Sequence, residues 1–151
     1  MPPELNVEFT AERHSAARSR RATTDWLASV CRFAVCCDTG QDIVLAVNEA
    51  VSNGIEHAYP DDDGVVTVCG RIQEADPDRR PDGACPCGAL EVCIEVSDHG
   101  CWQTPPADPG HRGRGLMMAE GAVDLLTLDT GTDGTVVTLH RRLGCRALAA
   151  P

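Results

Sequence analysis

Residues 47–57 read VNEAVSNGIEH. Glu49, Asn53 and His57 recur every fourth position inside a run that is otherwise small or apolar, so on a helix they stand in one row. Extending the helix over about 40–58 places Val44, Val47, Val51, Ile55 and Ala58 in an apolar stripe, with Asp42, Glu49, Asn53 and Glu56 on the other side. Spacing alone makes a solvent-washed face the commoner outcome. A second outcome is chemical: a carboxylate and a carboxamide one turn apart, both turned to one ligand. Glu49 has the chemistry to accept a proton from a hydroxyl or water. Asn53 offers the neutral oxygen suited to a Mg²⁺ that takes its other ligands from phosphates and water.

Working outward, Asp38 or Thr39 is the expected cap of this helix, and YPDDDG (59–64) ends it. Upstream, LNVEFT (5–10) alternates like a short strand, and 11–34 carries apolar residues at helical spacing, with Ala17, Trp26, Val30 and Phe33 expected inward. Downstream, VVTVCGRI (65–72) and LEVCIEV (90–96) are β-rich runs separated by the Pro-, Gly- and Asp-rich stretch 73–89. Residues 97–115 hold too much Pro and Gly for regular structure. A helix follows over 116–124, then strands 125–130 and 135–142 around the turn GTDG.

Strands cluster in hairpins while helices come in blocks. The fold class is therefore α+β, a two-layer sandwich with a mixed, mostly antiparallel sheet covered on one face by helices. The 151 residues at 42% hydrophobic content fit a single domain, with a core from about 5 to 143 and a frayed tail over 144–151.

A formal charge of −10 argues against direct nucleic-acid or anionic membrane partners, which need a basic footprint. The chain has no lysine; its thirteen cations are arginines. A P-loop is thereby excluded, and a bound nucleotide would need backbone amides, arginine or a metal. Nine cysteines without CxxC spacing, a start MPPELNVEFT unlike a signal peptide and no membrane-length apolar run lead to the expectation of a reduced, cytoplasmic protein. A zinc site or thiol switch at Cys36–Cys37 and Cys85–Cys87 is the alternative reading of the cysteines, with spacings unlike those of zinc motifs.

Two distant segments bear on the helix row. Asp98 and Gly100 in SDHG combine a carboxylate able to accept from an amino group with a glycine that lets a flat ring approach. HRGRGL puts Gly113 and Gly115 at the mouth of a helix, where open N–H groups and the helix dipole favour phosphate.

In this order the motifs resemble those of the GHKL (histidine-kinase-like, Bergerat-type) ATPases, most closely the anti-sigma-factor serine/threonine kinases. NEAVSNGIEHAY is similar to the asparagine box, SDHG and HRGRGL to the two glycine boxes, and GTVVTL to the closing strand. The resemblance implies ATP and Mg²⁺ as ligands, Glu49 as general base, Asn53 as Mg²⁺ ligand and Asp98 as reader of the adenine amino group. It places Gly100, Gly113, Gly115 and Leu116 around the nucleotide, Thr135 near adenine, and Arg112 and Arg114 within reach of phosphate. It also implies phosphorylation of an anti-sigma-factor antagonist and sequestration of a sigma factor. A non-catalytic, nucleotide-bound module of partner switching is the alternative, and a homodimer is an open expectation. Trp102 departs from the glycine common in the family two residues beyond Gly100.

Overall fold

The computed structural model describes residues 4–30, 38–58, 64–74, 90–100, 114–131 and 133–143, with His57, Ala58 and Arg114 described by backbone only. The order is β1 (Leu5–Thr10), α1 (Ser15–Val30), α2 (Asp38–Asn53), a π-helical turn (Gly54–Ala58), β2 (Val65–Glu74), β3 (Leu90–Asp98), α3 (Arg114–Ala122), β4 (Leu125–Gly131) and β5 (Gly134–Arg142). The five strands form one sheet in the order β1-β2-β3-β5-β4, and every described pairing is antiparallel. The parallel component expected from sequence is absent among the described strands.

Alternation decides which face is covered. Val66 and Val68 of β2, Val92, Ile94 and Val96 of β3, and Val137 and Leu139 of β5 are all buried at two-residue spacing and join the helices in one hydrophobic core. From α2 the core takes Ile43, Ala46, Val47, Ala50, Val51 and, in the π turn, Ile55. The buried face of α2 is thus wider than the valine stripe, because alanines fill the positions beside it. Trp26 of α1 lies over Gly70 of β2: a Cβ at Gly70 would stand 2.9 Å from the Trp26 indole.

The face of α1 corrects one expectation. Ala17 is exposed, and the buried positions are Ser15, Ser19, Thr23, Trp26 and Leu27. The large pair Trp26 and Leu27 fixes the rotation of the helix, and positions four and eight residues before Leu27 follow it inward whatever their polarity. Phe33 lies outside the described residues.

The helical layer is tied to the sheet at one end by Arg141. Its guanidinium donates to Asp42 Oδ2 of α2 at 3.2 Å and to Asp124 Oδ1, just after α3, at 3.3 Å. Asp124 Oδ2 also accepts the Arg142 backbone N–H at 2.7 Å. On the opposite sheet face, Gln73 donates to the buried Glu91 carboxylate at 3.0 Å, and Cys93 Sγ sits 3.9 Å from His140 Nε2. Burial pushes the Cys93 thiol above its ordinary range, with Glu95 and Glu91 adding to the effect and Arg71 opposing it. Cys69 and Cys93 are free thiols, and among the described residues no group of three metal-ligating side chains is placed to hold an ion. The pairs Cys36–Cys37 and Cys85–Cys87 lie outside the described residues. No described helix is long and apolar enough to cross a membrane.

Candidate functional site

The α-helical part of α2 stops at Asn53, and the chain continues as a π turn. Such turns interrupt helices at a cost in regular hydrogen bonding and gather at functional positions. The residue that opens the turn, Gly54, is in close packing: a Cβ there would meet Val66 Cγ2 at 3.4 Å and Asp98 Oδ2 at 3.6 Å. The end of α2 thus lies within van der Waals reach of the Asp98 carboxylate. Asn53 is 9% exposed, so the row that sequence places on the polar side of the helix turns inward at this residue. Glu49, one turn earlier, is half-buried.

Asp98 is the last residue of β3, paired across the sheet with Val66 of β2 and Thr135 of β5. Its carboxylate Oδ1 accepts the Gly100 N–H at 3.1 Å. Burial pushes the Asp98 carboxyl above the ordinary carboxylate range, while the backbone amides of Gly100 and Thr135 and the nearby His99 pull in the opposite direction. Thr135 is 1% exposed, and its Oγ1 has no hydrogen-bond partner among the described residues. A buried hydroxyl left unsatisfied beside a buried carboxylate suits a polar ligand that supplies the missing bond.

Gly134 makes this junction possible. Its φ of +134° lies in a region that side-chain-bearing residues rarely adopt, and a Cβ there would run into the Asp98 carbonyl. The start of β5 can therefore press against the Asp98–His99 backbone and deliver Thr135 beside Asp98.

The other half of the site forms between α2 and α3. A Cβ on Gly115 would stand 2.9 Å from Glu49 Oε2, so the first turn of α3 is backed directly onto the Glu49 carboxylate. Leu116 packs its side chain against the core. The structure thus brings Glu49 to Gly115, and Asp98 to Gly54, Gly100 and Thr135, with Asn53 joining the two groups along α2. Arg114 opens α3, while Arg112, Gly113 and Trp102 lie outside the described residues.

Gly54 and Gly134 escaped the sequence reading as site residues. Gly54 carries a local signal, a glycine immediately after a polar residue inside a helical pattern; Gly134 reads only as part of a hairpin turn.

A helix-covered antiparallel sheet with an acid at the end of its central strand is the frame, and comparison with known families places it. The model of the histidine kinase-like ATPase domain covers residues 9–141. The chain belongs to this family. Within it, the Anti-sigma F factor of Clostridium acetobutylicum is 37% identical over 59 residues, which is 39% of this chain and 31% of that protein. The crystal structure of the RsbU and RsbW domains of Rv1364c from Mycobacterium tuberculosis superposes with a TM-score of 0.62 at 27% identity, over 93% of this chain and 32% of that one. The matched regions take in about a third of the length of each of these relatives. As a histidine-kinase-like ATPase domain, the chain has the α+β sandwich expected from its sequence and a site of the kind that binds ATP.

Proposed function

We propose that this protein is a cytoplasmic anti-sigma regulatory factor, a single histidine-kinase-like domain that uses ATP to phosphorylate a serine or threonine on an anti-sigma-factor antagonist and that sequesters a sigma factor. One observation carries the reading: the Glu49 carboxylate lies against Gly115 at the N-terminus of α3, where a phosphate chain would be held.

In this reading the adenine lies at the sheet end. Its amino group donates to the buried Asp98 carboxylate, Gly100 leaves room for the ring, and the Thr135 hydroxyl makes the bond it lacks in the protein alone. The phosphates meet the Gly115 amide and the positive end of the α3 dipole, Leu116 anchors that turn to the core, and the sequence adjoins to it Arg112, Gly113 and Arg114 as further candidates for phosphate binding. Asn53 would hold a Mg²⁺, which when bound would offset phosphate charge. The acceptor hydroxyl loses its proton to Glu49 as its oxygen attacks the γ-phosphorus, and ADP departs from the opposite side. Catalysis rests on positioning and charge stabilisation, as is general for phosphoryl transfer.

The alternative, a nucleotide-bound binding module without transfer activity, shares every contact except the one Glu49 makes with the acceptor. Trp102, in place of the family glycine, is the feature that favours it. Single-turnover transfer from labelled ATP to a candidate antagonist separates the two. Kinase function predicts labelled antagonist and Mg²⁺-dependent ATP binding; nucleotide binding with no labelled protein would leave the module.

A further inference from the structure

The two edges of the sheet are finished differently. On β1, Leu5 and Phe9 are buried, and the exposed positions are Asn6, Glu8 and Thr10. On β4 every residue except the half-buried Leu126 is exposed, and Leu125 and Leu128 stand 44% and 43% open. Natural edges are usually blunted by lysine, arginine, proline or a bulge. β4 has no cation and no proline, and its pairing with β5 runs without interruption from Leu125 to Gly131. Every second residue of such a strand turns its N–H and C=O away from its one neighbour, leaving a row of main-chain donors and acceptors among the described residues.

Charge narrows what can add to this edge. Between Arg114 and Arg141 the chain has no arginine or lysine and four acids, Glu120, Asp124, Asp129 and Asp133. Asp124 is engaged by Arg141. By register, Leu128 shares a face with the core residue Val137, and Asp129 is on the opposite face. An antiparallel second copy of β4 centred on Asp129 would set that carboxylate against its own counterpart, and one centred on Gly131 would set it against Asp133, so like charge opposes self-pairing in both registers.

We propose that β4 is a docking edge for a partner protein's extended segment, one that alternates apolar residues on the Leu128 side with arginine or lysine on the Asp129 side. Main-chain bonds supply the attachment and the two faces supply selectivity, as in other strand-addition complexes. β5 stands between β4 and Asp98 in the sheet, and the docking argument uses none of Glu49, Asn53 and Asp98, so the proposal stands whether or not the protein is a kinase.

The test uses the full chain and a labelled synthetic heptapeptide alternating arginine and valine, with a glutamate-for-arginine version as control. Expected are saturable binding of the arginine peptide and slowed hydrogen exchange confined to β4. Leu128→Lys should weaken binding about tenfold through the lost apolar contact. Asp129→Arg should weaken it about threefold to fivefold, the range of an exposed ion pair, and should improve binding of the glutamate peptide. Circular dichroism and ATP binding report that both variants are folded. Failure of the arginine peptide to bind, or equal binding of the glutamate peptide, would overturn the proposal. So would β4 amides in the chain alone that exchange as slowly as those of β5, since the edge would then be covered already. Concentration-dependent β4 protection together with a dimer mass in sedimentation would assign the edge to a second copy instead.

Discussion

The helices α1 and α2 each bear polar residues at four-residue spacing, and the two rows have opposite meanings. On α1, Ser15, Ser19 and Thr23 are almost wholly buried; Ser15 Oγ donates to the Thr10 carbonyl at 2.6 Å, while Ser19 Oγ and Thr23 Oγ1 have no partner among the described residues. On α2, Glu49 and Asn53 line the candidate site, and a Cβ on the facing Gly115 would press on Glu49. Periodicity is identical in the two. What separates them is size and opposition: small hydroxyls let a helix sit close on its neighbours, whereas a long carboxylate needs space cleared by glycine on the facing element. The α1 row should therefore matter for stability and the α2 row for chemistry.

The widest gap between the rows is expected at Glu49→Gln. This change keeps size and polarity, so ATP binding and the thermal midpoint should hold while phosphate transfer slows about 10²–10⁴-fold, the usual contribution of a general base. Full transfer activity in stopped single-turnover assays would return Glu49 to the same structural category as the α1 hydroxyls. Next in size is Gly134→Ala, which combines a forbidden φ with a collision at the Asp98 carbonyl. It should destabilise by about 3 kcal/mol or more in urea titration and lose nucleotide binding with it.

Asp98→Asn tests the carboxylate without that backbone damage. If Asp98 accepts from the adenine amino group as proposed, losing that charge-assisted bond should weaken ATP binding by about 1.5–3 kcal/mol, read by calorimetry. It also has a pH signature in the protein alone. Because burial raises the Asp98 carboxyl, its contribution to stability is fully present below the ordinary carboxylate pKa and is lost as pH rises through the raised value. The Asn variant should lack that decline on going from acid toward neutral pH, visible as a flatter plot of unfolding midpoint against pH.

Gly115→Ala sharpens the comparison further. The new methyl would press on Glu49 Oε2, the far end of a flexible side chain, so the fold should survive while transfer falls by about tenfold from displacement of the base. The smallest effect belongs to α1: Thr23→Val removes a buried hydroxyl without a partner and should stabilise by about 0.5–1 kcal/mol with transfer rate unchanged. A slower transfer rate in this variant would mean that the α1 row also reaches the site.

Sequence disclosed the elements well and their rotations less well. All five strands and three helices fall where hydropathy period and turn residues place them, because each has enough turns or alternations to average over exceptions. The α1 face was misjudged at Ala17 because small polar residues carry little hydropathy signal, and packing around Trp26 and Leu27 decides their fate. Of the candidate site, Glu49, Asn53, Asp98, Gly115 and Thr135 are readable as members of motifs, and the fold brings Glu49 to Gly115 and Asp98 to Thr135. The roles of Gly54 and Gly134 were not, since each is defined by a contact with Asp98, respectively 44 and 36 positions away in the chain. The π turn was likewise illegible, as nothing in GIEHA distinguishes it from a continuing helix.

The Arg141 tie has a mechanical consequence. It holds Asp124, at the far end of α3 from Gly115, to the first half of α2. That makes Arg141 a fulcrum and α3 a lever arm of nine residues, about 13 Å long at the helical rise. A tilt of about 10° at the fulcrum leaves Asp124 in place and carries Gly115 roughly 2 Å, by the same rise. The distance between the first turn of α3 and Glu49 is thus the quantity such a tilt amplifies, and the distance at the ion pairs is the one it leaves unchanged.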